Sequence, residues 1–321
     1  MENDNIFEIH QHVRLLMHTE YIDLFKDYSG KIQIIPFQHN RYRYSLLYKV
    51  KLLKSFRKSG YGLCINLTAA RGIINDELSI LSGAKTIYAL NAKHTYLGEK
   101  LGTLLDKFYT QILTDNIFNE YDKHIALLNM FNKNAFYKIK FANQKTFSTN
   151  YDLIKHSTLK KSIVIAPFSS ERNRDWPIKY FTKIIHQLNS EFQIYLIGNK
   201  EQENELKMLR NGLQNVIILA SELKLYEIPS LIARSDLFIG IDSGISHIAL
   251  RLDVKLLAII GGGMFGQFLP FNSSKEKKFI FYDLPCFNCA WKCSQKEMYC
   301  ITKIMPEKII QVINELLDVQ N

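Results

Sequence analysis

Residues 236–250 have the sequence Asp236-Leu-Phe-Ile-Gly-Ile-Asp-Ser-Gly-Ile-Ser-His-Ile-Ala-Leu250. The apolar run from Leu237 to Ile241 has the length of a buried parallel strand. Small and polar residues follow this run, and an apolar helical pattern begins directly after them. A helix that starts right after a strand presents backbone N–H groups at its N-terminus, where they bind phosphate or another anion. The same residues also suit an ordinary helix cap, so this stretch alone leaves both interpretations open.

The rest of the C-terminal half repeats the alternation of strand and helix, which predicts a parallel sheet. Apolar runs at residues 162–166, 193–197, 216–219 and 255–260 are the other predicted strands. The carboxyl ends of parallel strands meet at one edge of a sheet, so the residues after these strands are expected to line one crevice. Nucleotide recognition suits such a crevice, because it offers donors for phosphates, a carboxylate for ribose and apolar walls for a base. The candidate residues in this crevice are Ser169, Ser170, Arg174, Glu201, Asp242, Ser243, Gly244, His247 and Gly262.

The N-terminal half also predicts an α/β domain, although its pattern is weaker. A helix is predicted for residues 6–28, a basic helix for 44–58, and a polar linker for 134–150. Arg41, Arg43 and Arg71 follow predicted strand ends, so their guanidinium groups are expected to face a ligand carboxylate or phosphate. Pairing with local acids such as Asp76 and Glu77 is the alternative.

Length and composition favour two domains, at roughly 150 residues each, with boundaries expected at 1–158 and 159–321. The formal net charge of +10 is spread along the chain. It fits anionic ligands, an anionic membrane surface, or a simple bias in composition. No segment approaches the ~18 apolar residues of a transmembrane helix, and the polar N-terminus does not resemble a signal peptide. We therefore expect a cytoplasmic protein, and the absence of a nucleic-acid-binding motif argues against nucleic acid as a partner.

Four cysteines lie close together near the C-terminus, with the spacing C-x2-C-x3-C-x6-C: Cys286, Cys289, Cys293 and Cys300. Disulfides are rare in a cytosolic protein, and four thiols at this spacing suit a structural zinc or iron site. The spacing differs from that of a standard zinc finger, so reduced or redox-labile thiols remain the alternative. Cys64 lies inside a predicted strand and is expected to be a buried thiol.

Several of these motifs together resemble glycosyltransferase family 9, the heptosyltransferase family of bacterial lipopolysaccharide assembly. The resemblance rests on Ser169-Ser170 with Arg174 before Trp176-Pro177, then Gly198-Asn-Lys-Glu201, then Asp242-Ser-Gly-Ile-Ser-His-Ile-Ala249. The glycine loop Gly261-Gly-Gly-Met-Phe-Gly266, which predicts close approach to the backbone, and the cysteine cluster continue it. The match covers about residues 160–321 well and 60–90 more loosely.

The resemblance implies a GT-B fold, which consists of two Rossmann-like domains with parallel sheets. It also implies a metal-independent, inverting transferase that uses a nucleotide-sugar donor such as ADP-heptose and needs no cofactor. The acceptor would be lipopolysaccharide, another lipid-linked molecule or a saccharide, reached at the inner face of the cytoplasmic membrane. Ser169, Ser170 and Arg174 would contact the diphosphate. Asp242, Ser243, Gly244 and His247 would hold the sugar and diphosphate. Glu201 or Glu203 would be near the ribose and Leu225 near the adenine.

The chain departs from the family pattern at its start. The first strand of the family ends in a Gly-Asp loop that supplies the general base, and the N-terminal domain of this chain is expected to lack that strand. The alternatives are an enzyme that uses another carboxylate, with Asp76 and Glu77 as candidates, or a truncated or inactive relative that only binds the donor. A metal-binding regulatory or redox protein built on the cysteine cluster is the interpretation from a different class.

Overall fold

The computed structural model describes residues 13–28, 32–68, 70–91, 93–94, 104–113, 117–131, 161–220, 222–271 and 274–318. The chain divides into two compact units, Met1–Tyr137 and Lys138–Asn321. The expected boundary at residue 158 and the expected linker at 134–150 both lie outside the described residues, so their exact position stays a prediction.

In the C-terminal unit, strands and helices alternate as the sequence predicted. The strands are β8 (Ser162–Ala166), β9 (Gln193–Leu196), β10 (Val216–Ile218), β11 (Leu237–Ile241), β12 (Lys255–Ile259) and β13 (Lys277–Ile280). The helices are α5 (Ile178–Leu188), α6 (Glu203–Arg210), α7 (Ile228–Ala233), α8 (Gly244–Arg251), α9 (Tyr299–Thr302) and α10 (Pro306–Leu317). Short 3₁₀ turns cover Arg172–Arg174 and Lys200–Gln202.

All six strands form one parallel sheet in the order β10-β9-β8-β11-β12-β13. Every residue of β8 and β11 is buried. Strands covered by helices on both faces are apolar throughout, which is why these runs could be recognised from the sequence. Trp176 is fully buried and donates its indole N–H to the carbonyl of Ile304 at 2.8 Å, so it ties the loop after β8 to the segment before α10.

The N-terminal unit contains shorter parallel pairings. Its strands are β1 (Val13–His18), β2 (Ile32–Phe37), β3 (Leu63–Asn66), β4 (Ala70–Arg71), β5 (Thr86–Leu90), β6 (Lys93–His94) and β7 (Gln111–Leu113). Its helices are α1 (His39–Tyr44), α2 (Leu46–Ser59), α3 (Ile73–Ile80) and α4 (Glu120–Phe131). Strand β1 pairs with β2, the order β3-β5-β7 forms a second sheet, and β4 pairs with β6.

Of the two helices predicted in this unit, one was wrong and one is confirmed. The helix predicted for residues 6–28 is, in its described part, strand β1 followed by a 3₁₀ segment at Thr19–Tyr28. A short apolar run does not distinguish a strand from a helix by its spacing alone, and the parallel pairing with β2 decides for the strand. The helix predicted for 44–58 is confirmed as α2, Leu46–Ser59, which begins after Ser45, because the Ser45 hydroxyl accepts a hydrogen bond from the Tyr48 N–H and caps the helix.

Candidate functional site

The centre of the C-terminal sheet is the place where a ligand is expected to bind. The first strand of this unit, β8, lies beside β11, while the chain passes outward through β9 and β10 on the other side. The direction of winding therefore reverses between β8 and β11. In open α/β sheets ligands bind at this switch point, beyond the carboxyl ends of the strands. The loop that follows Ala166 and the turn at Asp242-Ser243 both begin there.

The loop after β8 is held in shape by its own polar groups. The Ser169 N–H donates to the Asp175 carboxylate at 2.8 Å, and the Ser169 hydroxyl donates to the Glu171 carbonyl at 2.6 Å. The guanidinium of Arg172 forms a bidentate ion pair with the Glu205 carboxylate, at 3.0 and 2.6 Å. The hydroxyl of Ser169 therefore has a structural role inside the loop. Its predicted contact with a diphosphate stays a prediction, as does that of the exposed Ser170.

Arg174 differs from Arg172 because no carboxylate in the described part of the chain forms an ion pair with it. Its Nε is buried and has no hydrogen-bond partner among the residues that the structure describes. The guanidinium lies 5.8 Å from the centre of the Trp291 ring, a cation–π distance. Its positive charge also acts on Asp242: burial raises the pKa of Asp242, and the charge of Arg174 partly offsets that increase. The loop thus brings a partly buried cation to the switch point.

Ser243 occupies the N-cap position of α8 but makes no capping bond. Its Oγ is buried and has no hydrogen-bond partner within the described part of the chain. Gly244, the first residue of the helix, is exposed. An N-cap serine normally accepts a bond from its own helix, so a hydroxyl without that bond remains available to a ligand. The N-terminus of α8, with Ser243 and the cation of Arg174, has the properties of an anion site.

His247 lies on the first turns of α8, and its Nε2 is 3.7 Å from the Asp242 carboxylate. Burial, together with the nearby positive charge of Arg251, lowers the pKa of His247 to about 4. The ring of Phe268 packs edge-on against it at 5.8 Å. The imidazole is therefore neutral at neutral pH and can donate or accept a hydrogen bond, but it does not supply a positive charge.

Two glycines and one serine near the site have structural explanations. The Ser246 hydroxyl donates to the Ile241 carbonyl, and a Cβ on Gly240 would lie 2.5 Å from that hydroxyl. A Cβ on Gly198 would lie 2.9 Å from the Gln202 side chain, which forms a capping box with Asn199. Gly240 and Gly198 are therefore required by close packing within the fold.

Glu201 and Leu225 stay predictions as ligand contacts. Glu201 is exposed and lies on the 3₁₀ turn after β9, and Leu225 lies before α7 and is partly exposed. Glu203, in contrast, pairs with Lys207 one helical turn further on, at 2.6 Å.

The glycine loop after β12 packs against aromatic side chains of the cysteine segment. A Cβ on Gly262 would lie 2.3 Å from the Phe287 ring, and one on Gly263 would lie 2.2 Å from the Trp291 ring. The carbonyls of these two glycines accept hydrogen bonds from the N–H groups of Asn288 and Ala290. The sequence predicted close backbone approach at this loop, and within the protein the approaching groups are these rings. Whether Gly262 also contacts a ligand stays a prediction.

The four predicted metal ligands, Cys286, Cys289, Cys293 and Cys300, line a cavity of about 10 Å³ that Trp291 and Met298 help to close. This volume is roughly that of one water molecule. All four are free thiols. Burial raises the pKa of the Cys300 thiol, and the charges of the other three cysteines raise it as well. Among the described residues, no three His, Cys, Asp or Glu side chains are arranged to hold a metal ion as they stand.

Arg71, predicted to face a ligand, is instead buried in the N-terminal unit. It is 1% exposed, its guanidinium contacts Asp106, and its Nε is 3.7 Å from Asp76. The Tyr109 hydroxyl donates to Asp76 at 2.7 Å, and Arg71 lies over the Tyr109 ring at 4.9 Å. The expectation for Arg71 is corrected: the short strand β4 directs it into the unit, where carboxylates neutralise it.

The remaining candidates of this unit differ in their access to solvent. Asp76 is 1% exposed, so the described structure gives it no access to an acceptor hydroxyl. Glu77 is 26% exposed and pairs with Lys49 at 2.7 Å. Arg41 and Arg43 are exposed, and they lie over the rings of Tyr48 and Tyr44.

Sequence reasoning missed two residues that shape the site. Asp175 holds the loop after β8, and Trp291 supports both Arg174 and the glycine loop. A lone tryptophan within a cysteine cluster was a signal for the second. No local pattern indicated the partners of either residue.

A sequence profile of glycosyltransferase family 9 (heptosyltransferase) matches residues 121–298, more than half of the chain. The chain belongs to glycosyltransferase family 9. The resemblance drawn from the motifs is therefore confirmed. Arg174, Asp242, Ser243 and His247 all lie within the matched residues, while Arg41 and Glu77 precede them.

A curated relative, a lipooligosaccharide heptosyltransferase 2 from Campylobacter jejuni, is 31% identical over 157 residues. The match covers 47% of this chain and 49% of the relative, so the chain spans about half the length of the curated relatives it matches.

Solved structures of heptosyltransferases extend the likeness to nearly the whole chain. The E. coli ADP-heptose LPS heptosyltransferase II matches with a TM-score of 0.69 at 16% identity, covering 98% of this chain and 92% of that chain. The E. coli heptosyltransferase WaaC with ADP-2-deoxy-2-fluoro heptose matches with a TM-score of 0.64 at 16% identity, covering 94% and 88%. At this identity the likeness shows the fold, which is the predicted α/β GT-B fold with parallel sheets.

Proposed function

We propose that this protein is a glycosyltransferase that moves heptose or a similar sugar from a nucleotide-sugar donor to a saccharide acceptor. The proposal rests most directly on the switch point of the C-terminal sheet. There the Nε of Arg174 and the hydroxyl of Ser243 are buried without hydrogen-bond partners among the described residues. Buried polar groups are normally satisfied, so these atoms suit a bound anion. Family membership and the E. coli relative solved with an ADP-heptose analogue favour ADP-heptose as that ligand.

The reaction would be a single displacement that inverts the anomeric carbon. The acceptor hydroxyl oxygen forms a bond to that carbon, the bond from the carbon to the diphosphate breaks, and a base takes the hydroxyl proton. The diphosphate leaves with increased negative charge. Arg174 and the N-terminus of α8 would stabilise that charge, and this is electrostatic stabilisation of the transition state without a metal ion. Asp242 and the neutral His247 would hydrogen-bond the sugar.

The proposed reaction needs a general base that takes the proton of the acceptor hydroxyl. Of the two carboxylates that the sequence suggested, Asp76 is buried, while Glu77 is partly exposed and pairs with Lys49. Glu77→Gln tests whether Glu77 is the general base, because removal of a base lowers the rate of transfer by about 10²- to 10⁴-fold while donor binding remains. An unchanged rate would exclude Glu77.

The acceptor would be a lipopolysaccharide or lipooligosaccharide core, or another lipid-linked saccharide, and the protein would act at the cytoplasmic face of the inner membrane. The curated relatives act on lipooligosaccharide according to their names. A bacterial cell-envelope role follows from that acceptor.

Calorimetry with ADP and ADP-heptose, together with mass spectrometry of an acceptor incubated with ADP-heptose, tests the proposal. A transferase binds the donor and shifts the acceptor mass by one heptose, and added chelator leaves this transfer unchanged. An inactive or truncated relative binds the donor and produces no mass shift. Absence of binding to either nucleotide would contradict both.

We also infer a structural role for a metal at the cysteine cavity, because all four thiols line one void of about the size of a single ion. Zinc or iron would require the thiols to turn toward the void. Metal analysis of the purified protein should give about one zinc or iron per chain, and Cys286→Ser should lose it. Cys64→Ser is the matched control, because Cys64 lies outside the cluster. Purified protein that contains no metal and still binds the donor fully would contradict a structural metal site. It would favour a redox or regulatory role for the cysteine cluster.

A further inference from the structure

The segment from Gln38 to Ser59 is unusual in its charge. It contains seven Lys or Arg residues and no Asp or Glu. It forms α1 and α2, which are joined at Ser45. A run of cations without acids gives the segment a positive potential that no acidic residue of the segment itself neutralises.

The inner side of α2 belongs to the core of the unit. Phe56 is buried, and Leu52 and Leu53 are partly buried against the same cluster as Tyr42. Lys49 also lies on this side, since it contacts Glu77 and the Tyr42 ring. The core of the N-terminal unit thus accounts for the apolar residues of the inner side.

The outer side of α2 also carries apolar side chains, and the core does not account for these. Leu46 is 75% exposed, Leu47 is 66% exposed and Val50 is 39% exposed. Tyr44, at the end of α1, is 76% exposed. Large aliphatic side chains at this exposure, grouped within seven residues, mark an interaction surface.

Cations continue the same outer side along the helix. Residues three and four apart are neighbours on a helix surface, so Lys51, Lys54 and Lys58 form one row that begins beside Leu47. All three are exposed, and no acidic side chain of the described residues forms an ion pair with them. The outer face therefore has an aliphatic end and a basic end.

We propose that this outer face, formed by Tyr44, Leu46, Leu47, Val50, Lys51, Lys54 and Lys58, binds the surface of an anionic phospholipid bilayer. Aliphatic side chains enter the boundary between headgroups and acyl chains, a tyrosine ring sits at headgroup level, and lysines contact anionic headgroups. The helix lies on the bilayer: no helix in the described part of the chain is long and apolar enough to cross one. The leucines and valine favour lipid over nucleic acid, which offers them no apolar surface.

Vesicle flotation tests this directly and does not depend on transferase activity. The full chain is mixed with vesicles of phosphatidylcholine, or of phosphatidylcholine with about 30% phosphatidylglycerol. Binding is expected only to the anionic vesicles, and high salt should weaken it because surface charges are screened. Lys51→Gln, Lys54→Gln and Lys58→Gln should each lower vesicle affinity about fivefold.

The aliphatic end has its own variant, which combines Leu46→Ser, Leu47→Ser and Val50→Ser. It should also lose flotation, and an unchanged circular dichroism spectrum should show that α2 is retained. The matched control replaces exposed residues of the C-terminal unit, Met208→Ser with Arg210→Gln, and should float like the wild type. Wild-type protein that stays with the soluble fraction, or lysine variants that float equally well, would overturn the proposal and assign the face to a protein or nucleic-acid partner.

Discussion

Two groups of buried charge in this protein are organised in opposite ways. In the N-terminal unit, Arg71 lies against Asp106 and Asp76, and Tyr109 completes the network. In the C-terminal unit, Arg174 contacts an aromatic ring, and its Nε has no partner among the described residues. The first group neutralises itself and contributes to the fold. In the second, the Nε of Arg174 and the hydroxyl of Ser243 have no hydrogen-bond partner among the described residues, and this is the arrangement of a binding site.

The largest effect is expected from breaking the self-neutralised group. Arg71→Met removes the cation beside the buried carboxylate of Asp76, and loss of one partner of a buried ion pair costs about 3–5 kcal/mol of unfolding free energy. Both tryptophans lie in the C-terminal unit. Urea unfolding followed by far-UV circular dichroism should therefore show an early transition, while tryptophan fluorescence should change little.

Arg41→Met provides the control for Arg71, because it removes an exposed arginine from the same unit. A surface substitution of this kind is expected to change stability by no more than about 0.5 kcal/mol. An Arg71 variant that is as stable as the Arg41 variant would show that the buried network is not needed for folding.

The matching change at the switch point should affect binding and leave the fold intact. Arg174→Ala removes the cation expected to contact the diphosphate, and hydrogen bonds to charged groups contribute about 1.5–3 kcal/mol. We expect ADP affinity to fall by about 10- to 100-fold in calorimetry, with little change in the urea midpoint. Arg172→Ala is the control, since Arg172 is exposed and pairs with Glu205. An equal loss of ADP affinity in both variants would contradict a specific contact between Arg174 and the diphosphate.

The protonation of His247 makes the stability of the C-terminal unit depend on pH. Its folded pKa of about 4 lies below the ordinary value of 6.5, so the unfolded chain binds more protons between these two pH values. Stability from the neutral ring is therefore present above pH 6.5 and is lost as the pH falls toward 4. We expect the wild type to lose about 2 kcal/mol more than His247→Gln between pH 7 and pH 5, measured by urea unfolding. His186→Gln, at an exposed histidine, should behave like the wild type.

The sequence predicted the C-terminal unit well because its strands are buried on both faces. Runs such as Ser162–Ala166 and Leu237–Ile241 are apolar throughout, and the polar residues after them were correctly placed at one edge of the sheet. The strand at Val13–His18 was mistaken for a helix, because its identity depends on pairing with residues 32–37. Local patterns contain no information about such pairings.

The sequence also could not predict which side chains contact the buried arginines. Arg71 and Arg174 both follow apolar strands, and nothing nearby distinguishes them. The difference comes from distant residues: Asp106 neutralises the first, and Trp291 covers the second. The same holds for the glycine loop, where the rings that exclude a Cβ belong to a segment some twenty-five residues further along the chain.

The smallest expected effect concerns Ser243, and it sharpens the comparison most. At an N-cap, replacement of serine by alanine normally costs about 0.5–2 kcal/mol, because a capping bond is lost. Ser243 makes no such bond. Ser243→Ala should therefore leave the free energy of unfolding within about 0.3 kcal/mol of the wild-type value, while ADP-heptose affinity falls about two- to tenfold. Ser45→Ala is the matched control, because Ser45 does cap its helix and should lose stability without losing donor affinity. A destabilised Ser243 variant with normal donor affinity would mean that the hydroxyl serves the fold, and the distinction between the two groups of buried polar atoms would then rest on Arg174 alone.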